Sequence, residues 1–134
     1  MAERFLIYGM TGWSLEIFWT AIINFLLKKD LKLIGFTSLW MFPVYGLFIF
    51  LEPVYTLISG WPVALRGVLY MLGIFAAEFA TGALFKQLLG NCPWDYSPNK
   101  YNIKGLIRLD FAPLWYLVGI LYEKLYLLIL TLGI

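Results

Sequence analysis

The chain has 134 residues, of which 62% are hydrophobic and 13% are charged, and its formal net charge is +2. A soluble domain usually carries about 25% charged residues, so this composition excludes an ordinary soluble fold and indicates an integral membrane protein. One cysteine excludes a disulfide within the chain, and the lack of histidine argues against a transition-metal site of the usual kind. The few loop lysines do not form the basic patch that is typical of nucleic-acid binding, so we expect no nucleic-acid partner. We also expect no cofactor.

Four apolar stretches are long enough to cross a bilayer, which takes about 20 helical residues. They cover approximately residues 5–27, 36–59, 67–89 and 106–132. The pattern predicts an all-α four-helix membrane bundle that forms a single transmembrane domain over residues 1–134. The first stretch is too long for the core of a signal peptide and has no small-residue cleavage site before Lys28, so we expect it to remain in the mature protein.

Basic residues set the predicted orientation in the membrane. Seven of them lie in or beside the two predicted inner loops, the second of which covers residues 90–105: Lys28, Lys29, Lys32, Lys86, Lys100, Lys104 and Arg108. The opposite side holds only Arg4, Arg66 and Lys124. Because basic loops stay in the cytoplasm, we predict a multi-pass membrane protein with both termini outside.

The two halves of the chain carry similar motifs. A G-x3-L-x3-P motif occurs at residues 35–43 and again at 105–113. A Y-x6-E-x2-Y motif follows each time, and comprises Tyr45, Glu52 and Tyr55 in the first half and Tyr116, Glu123 and Tyr126 in the second. This internal repeat predicts a tandem duplicated helical hairpin with a pseudo-twofold axis along the membrane normal. The alternative is coincidence in an apolar sequence of low complexity.

Each apolar stretch contains one glutamate, and these are Glu16, Glu52, Glu78 and Glu123. Glu16 and Glu78 lie near the midpoints of their stretches, and the other two lie nearer the predicted outer surface. A carboxylate at a helix centre costs about 2.5–3.5 kcal/mol on insertion scales, so we expect the four to face a shared interior. No lysine or arginine lies in the central part of any stretch, which predicts that the acids hold protons or bind a cation.

Polar side chains are expected to complete this site. Thr20 and Asn24 share a helix face with Glu16, and four tyrosines can donate hydrogen bonds to the carboxylates: Tyr45, Tyr55, Tyr116 and Tyr126. The predicted function is transport of a cation or of protons through an intramembrane acidic cavity, and whether a metal ion binds is left open. The other interpretation is that protonated glutamates only join helices, through hydrogen bonds worth about 0.6–2 kcal/mol each.

The loop NCPWDYSPNKYN, residues 91–102, is the second unusual stretch. Its prolines, asparagines and aspartate predict a cap without regular structure, and its rings favour the headgroup region. Asp95 is expected to form an Asx turn near Ser97 or to pair with Arg108, and Asp110 to lie in the first turn of the fourth helix. The gate residues would be Cys92, Pro93, Trp94, Asp95, Tyr96 and Arg108. The alternatives to a gate are a docking surface for a soluble partner and a structured interfacial turn.

Three segments of the sequence resemble a known family. CPWDYSP (residues 92–98), AEFATG (77–82) and GLIRLDFAPLW (105–115) resemble the putative ABC-transporter permease family of the CmpB type. Small vertebrate four-span transmembrane proteins look similar through the same segments. The resemblance implies a multispanning transporter component of the plasma membrane. The chain has no G-x4-G-K-[ST] motif, so any ATPase would be another polypeptide, and four spans are few for such a permease unless it forms a homo-oligomer.

Three functions are therefore compared. The first is transport of a small cation or of protons through the acidic cavity. The second is a membrane subunit of a larger ABC-type complex, which docks a soluble ATPase through the 91–102 loop. The third is an intramembrane enzyme or lipid-handling protein that uses the acids as general acid and base. The chain has no histidine, no serine beside a base and no metal-ligand spacing, so we expect that it is not an enzyme.

Overall fold

The computed structural model describes the whole chain, Met1–Ile134, and confirms the predicted all-α class. In chain order the elements are α1 (Ala2–Lys28), α2 (Met41–Gly46), a 3₁₀ segment (Leu47–Leu51), α3 (Glu52–Leu57), α4 (Val63–Leu89), β1 (Asn102–Ile103), β2 (Ile107–Arg108), a 3₁₀ turn (Leu109–Phe111) and α5 (Ala112–Thr131). Three helices are long and apolar enough to cross a membrane: Ala2–Lys28, Val63–Leu89 and Leu109–Thr131. The first and third predicted stretches thus match helices α1 and α4 closely.

The second predicted stretch differs most from the structure. Residues 36–40 lie outside any helix, and the apolar helix Met41–Leu57 is interrupted by the 3₁₀ segment. At a rise of about 1.5 Å per α-helical residue and about 2.0 Å per 3₁₀ residue, this helix is about 28 Å long, which is slightly less than the ~30 Å hydrocarbon core. Pro53 accounts for the interruption, because proline has no N–H to donate and its ring crowds the carbonyl four residues earlier.

The fourth predicted stretch begins later than expected. Residues 102–108 form an antiparallel hairpin, with Asn102 opposite Arg108 and Ile103 opposite Ile107, and α5 begins only at Ala112. The expectation that the loop has no regular structure is wrong where β1 begins. Gly105 makes the tight connection at φ 69°, and a Cβ there would lie 2.6 Å from the Ser97 Oγ, so the position requires glycine.

The chain divides into two compact units, and each contains a long helix packed against a second one. Unit 1 comprises residues 1–50 together with Ile134. In unit 1, α2 lies so close to α1 that a Cβ at Gly12 would overlap the Tyr45 ring, and one at Gly9 would lie 2.9 Å from the Phe42 carbonyl oxygen. Glycines at such contacts let helix backbones approach closely, as is typical of membrane helices.

Unit 2 comprises residues 51–133. Here α5 packs against α4, and a Cβ at Gly119 would overlap Tyr70. The side chains of Tyr70, Tyr122 and Ile129 form the centre of this unit and are no more than 2% exposed. Apolar side chains on the outer faces, such as Leu117, are exposed and suit contact with lipid. The pseudo-twofold relation between the halves stays a prediction.

Candidate intramembrane acidic site

Glu123 of α5 is buried in unit 2 and forms an ion pair with Arg66 of α4. Arg66 Nε donates to Glu123 Oε2 at 2.9 Å and Nη2 donates to Oε1 at 3.0 Å. The Tyr70 hydroxyl also donates to Oε2, and Lys124 Nζ lies 4.0 Å from Oε1. A bidentate guanidinium is among the strongest partners of a carboxylate. The expectation that no basic residue compensates the four glutamates is therefore wrong for Glu123.

Arg66 is a residue of this site that the sequence motifs do not predict. It was placed at the outer boundary of the third stretch, but α4 begins earlier, at Val63, so Arg66 lies inside the helix. Its Nη1 also donates to the carbonyl oxygen of Trp61 at 2.5 Å, which holds the guanidinium beside α4. The signal available from the sequence was that Arg66 and Glu123 were both expected near the same membrane surface.

Glu78 of α4 has different surroundings. Its side chain is buried, and the Tyr96 hydroxyl of the 91–102 loop donates to its Oε1 at 2.8 Å. Glu78 follows Arg66 by 12 positions on the same helix, which is about 18 Å along the axis. The guanidinium that neutralises Glu123 therefore does not reach Glu78, and within unit 2 the structure keeps these two acids apart.

The backbone of the 91–102 loop fixes the position of Tyr96. Asp95 Oδ1 accepts hydrogen bonds from the Ser97 N–H at 2.9 Å and from the Ser97 hydroxyl at 2.5 Å, which confirms the predicted Asx turn. These bonds lower the pKa of Asp95. The Tyr96 N–H donates to the Gly105 carbonyl at 2.9 Å. Tyr96 is thus held from both sides by the loop and the hairpin.

Arg108 does not pair with Asp95, so that alternative is wrong. Its Nε donates to Asp110 Oδ1 at 3.0 Å and its Nη2 to Oδ2 at 2.6 Å. Asp110 itself lies in the 3₁₀ turn just before α5, and not in the first turn of that helix as expected. The pair is local, because the hairpin brings Arg108 directly to the start of the turn.

The loop lies directly on α4, as the predicted cap requires. Trp94 Nε1 donates to the Leu106 carbonyl at 2.8 Å, and the Trp94 ring meets Phe85 edge to face at 6.1 Å. A Cβ at Gly82 would lie 3.1 Å from Trp94 and 3.4 Å from Cys92 Sγ, so a glycine leaves room for the loop. Pro93 and Cys92 are half-buried, and burial raises the pKa of the Cys92 thiol.

Glu16 of unit 1 is half-buried on α1. The hydroxyls of Tyr45 and Thr37 hydrogen-bond to its carboxylate, while its Oε2 atom is buried and has no hydrogen-bond partner. Tyr45 is one of the four tyrosines that are predicted to donate to the carboxylates. The hydrogen bonds from Tyr45 and Thr37 to Glu16, like the bond from Tyr96 to Glu78, therefore come from neutral hydroxyl groups.

Thr20 and Asn24 bind backbone groups of unit 1. Thr20 Oγ1 accepts from the Phe36 N–H at 2.8 Å and lies 3.0 Å from the Phe36 carbonyl oxygen, and Asn24 Nδ2 donates to the Ile34 carbonyl at 3.2 Å. Both side chains thus hold the non-helical segment ahead of α2 against α1. Their predicted role in binding an ion stays a prediction.

The remaining predicted site residues lie in unit 2. The Tyr126 hydroxyl is 3.2 Å from Thr56 Oγ1, and the Tyr116 hydroxyl donates to a backbone carbonyl of α4 at 3.4 Å, so both have partners other than a glutamate. Tyr55 is buried, and its ring packs against Tyr126 at 5.6 Å. Glu52 is half-buried at the start of α3. Within unit 2, no three cysteine or acidic side chains are grouped so as to hold a metal ion.

Long apolar helices that carry hydrogen-bonded carboxylates define an all-α integral membrane protein. The family described as putative ABC-transporter type IV, of the CmpB type, matches residues 4–132. The chain belongs to this family, which confirms the resemblance seen in the sequence and its assignment to membrane transport. The similarity to small vertebrate proteins stays a prediction. No solved structure matches the chain.

Proposed function

We propose that this family member transports protons or a small cation, and that Glu16 and Glu78 are its ion-binding residues. The observation that supports the proposal is the contrast within unit 2. Glu123 is neutralised by the Arg66 guanidinium, whereas the described partner of Glu78 is the neutral Tyr96 hydroxyl. A hydroxyl can donate to a carboxylate and can also stay bonded to a carboxylic acid, so a carboxylate bonded in this way can take up a proton or a cation.

Glu16 supports the same proposal from unit 1. Its hydrogen bonds also come from neutral hydroxyls, and its Oε2 is a buried oxygen with an unused bonding site. An ionised carboxylate in an apolar helix is energetically costly and usually faces a pathway or a partner. A bound proton or cation would give the Glu16 Oε2 atom the partner that it lacks. Glu123 is a structural ion pair in this proposal, and Glu52 stays a candidate for the outer end of the pathway.

The experiment is a flux assay on the purified protein in proteoliposomes, with proton movement followed by an enclosed pH-sensitive dye and cation movement by radioactive Na⁺ or K⁺. Glu78→Gln should reduce the flux at least tenfold, because glutamine has nearly the same shape but cannot ionise. Glu3→Gln, at an exposed position near the start of α1, is the matched control and should keep wild-type flux. Wild-type flux in Glu78→Gln would contradict the proposal, provided that both variants have the wild-type melting temperature.

A second function is supported by the order of the 91–102 loop. We propose as the alternative that the chain is the membrane subunit of a larger complex and docks a soluble ATPase through this loop. The family assignment and the absence of a P-loop from the chain support it, as do the exposed side chains of Lys100 and Tyr101 on a hydrogen-bonded backbone. Cross-linked membranes should then yield a stoichiometric ATPase with the wild-type chain and less of it with Tyr101→Ala. A chain that purifies alone and transports alone would contradict this function.

A further inference from the structure

We propose that Tyr96 is a positioning residue that couples closure of the 91–102 loop to the ionisation of Glu78. The inference rests on the proposed role of Glu78 in ion binding and adds a mechanism of control to it. Its basis is the 2.8 Å hydrogen bond by which a side chain of the loop reaches a carboxylate on a membrane helix. This hydrogen bond therefore joins the loop directly to the candidate ion-binding residue.

The surroundings of Tyr96 hold its ring in place, with its hydroxyl directed at Glu78. The ring packs edge to face on Phe111, with centroids 5.8 Å apart. The Arg108 guanidinium lies 4.1 Å from the Phe111 ring centre and 6.0 Å from that of Tyr96. With the Tyr96 N–H bound to Gly105, the hydroxyl meets Glu78 only while the loop lies on α4.

Ionisation of Glu78 changes the strength of this bond. A hydrogen bond to a carboxylate is roughly twice as strong as one between neutral groups. An ionised Glu78 therefore favours the closed loop, and uptake of a proton weakens the bond and favours opening. Linkage is reciprocal, so loop closure lowers the affinity of Glu78 for a proton to the same degree.

The other charged groups of this region have partners of their own. Asp95 is bound by Ser97, and Arg108 is bound by Asp110. Lys86 Nζ donates to the Lys104 carbonyl at 3.2 Å. The Cys92 thiol is a further titratable group near the contact, and its pKa is raised chiefly by burial. In this proposal the exchange of a proton at Glu78 is the change that alters the Tyr96 bond.

Cys92 provides a built-in reporter of loop closure. It is the single cysteine of the chain, it lies four positions before Tyr96, and it is half-buried beside Gly82. A loop that opens exposes the thiol to a reagent. The experiment measures the rate of maleimide labelling of the full-length protein in lipid nanodiscs, divided at each pH by the rate for a free thiol whose thiolate fraction is known.

Tyr96→Phe removes the hydroxyl and keeps the ring, and should raise the labelling rate roughly fivefold, as expected for the loss of one hydrogen bond. Tyr101→Phe changes an exposed tyrosine of the same loop and should leave the rate unchanged. In the wild type the corrected rate should rise as the pH falls from about 8 to 5, and Glu78→Gln should abolish that rise. A Tyr96→Phe rate equal to that of the wild type, or a wild-type rate that does not depend on pH, would overturn the coupling.

The two proposals fail in different ways. If flux disappears in Glu78→Gln while Tyr96→Phe is labelled at the wild-type rate, the coupling is wrong and the transport proposal stands. If the wild type shows no flux while labelling depends on pH, Glu78 and Tyr96, transport by this chain alone is wrong and the coupling stands.

Discussion

The two buried glutamates of unit 2 have opposite surroundings, although both lie in apolar helices that pack against each other. Glu123 has a guanidinium, a tyrosine hydroxyl and a lysine within 4.0 Å, all from α4 and α5. Glu78 is reached by a tyrosine from a loop. The Arg66 charge makes Glu123 a permanent part of the helix contact, whereas we propose that the Tyr96 hydroxyl, which lies on a loop, allows the ionisation of Glu78 to change. In this proposal, identical residue types serve stability in one place and exchange in the other.

The largest effect is expected from Glu123→Gln, which breaks the ion pair between Glu123 and Arg66. Removing one partner of a buried ion pair leaves the other charge without compensation, and this is strongly destabilising. We expect the melting temperature in detergent to fall by roughly 10 °C. The double variant Arg66→Met with Glu123→Met removes both charges and should recover most of the loss. A double variant as unstable as the single one would show that the ion pair is not the cause.

A smaller effect is expected from Gly119→Ala, which tests how closely α5 must approach α4 for this pair to form. The added methyl group would overlap Tyr70, which itself donates to Glu123. Overpacking of this kind costs about 1–3 kcal/mol, measurable by unfolding in denaturant. Gly73→Ala is the matched control, since its Cβ would make an ordinary contact with Leu51 at 3.7 Å. Equal stability of the two variants would contradict the close contact.

The next prediction concerns the 91–102 loop, which contacts Glu78 through Tyr96. Burial raises the pKa of Cys92, so less of the thiol is ionised at neutral pH and it should react with iodoacetamide roughly tenfold more slowly than an exposed thiol. The control is Asn91→Cys in a Cys92→Ser background, because position 91 is exposed. Equal rates at the two positions would show that the loop does not cover α4.

The smallest effect is expected from Asp95, whose turn presents Tyr96. Its pKa is lowered in the folded loop by the Ser97 hydrogen bonds, so its contribution to loop stability is present above the unfolded pKa and is lost as the pH falls through the folded one. Below about pH 4 the Ser97 amide resonance should therefore shift progressively. Asp95→Asn should show no such transition, and a wild-type shift that persists in this variant would assign the titration to another group.

The apolar stretches were enough to predict the long helices, because a run of about 20 apolar residues has few other stable arrangements in a bilayer. Pro53 indicates a break in the helix before it, but the continuous apolar run around this proline predicts one uninterrupted span. The hairpin at residues 102–108 was missed because G-x3-L-x3-P was read as a repeat leading into a helix, whereas Gly105 serves a turn.

The candidate site was only partly predictable. The sequence identified Glu16, Glu78 and Glu123 as costly groups that need partners, and Tyr96 as a loop residue of interest. It could not pair Arg66 with Glu123, because the two are 57 positions apart and the pairing depends on the register of α4 against α5. The bond between Tyr96 and Glu78 likewise depends on how the loop folds back, which no spacing along the chain encodes.

Thr20 and Asn24 illustrate a further use of polar side chains in apolar surroundings. Water is absent from the hydrocarbon core, so any chain there that is not helical must find its hydrogen bonds within the protein. By binding the backbone at Ile34 and Phe36, these two side chains supply hydrogen bonds at the point where the chain enters the second apolar stretch. This stretch can therefore begin outside any helix and form fewer helical turns than its neighbours.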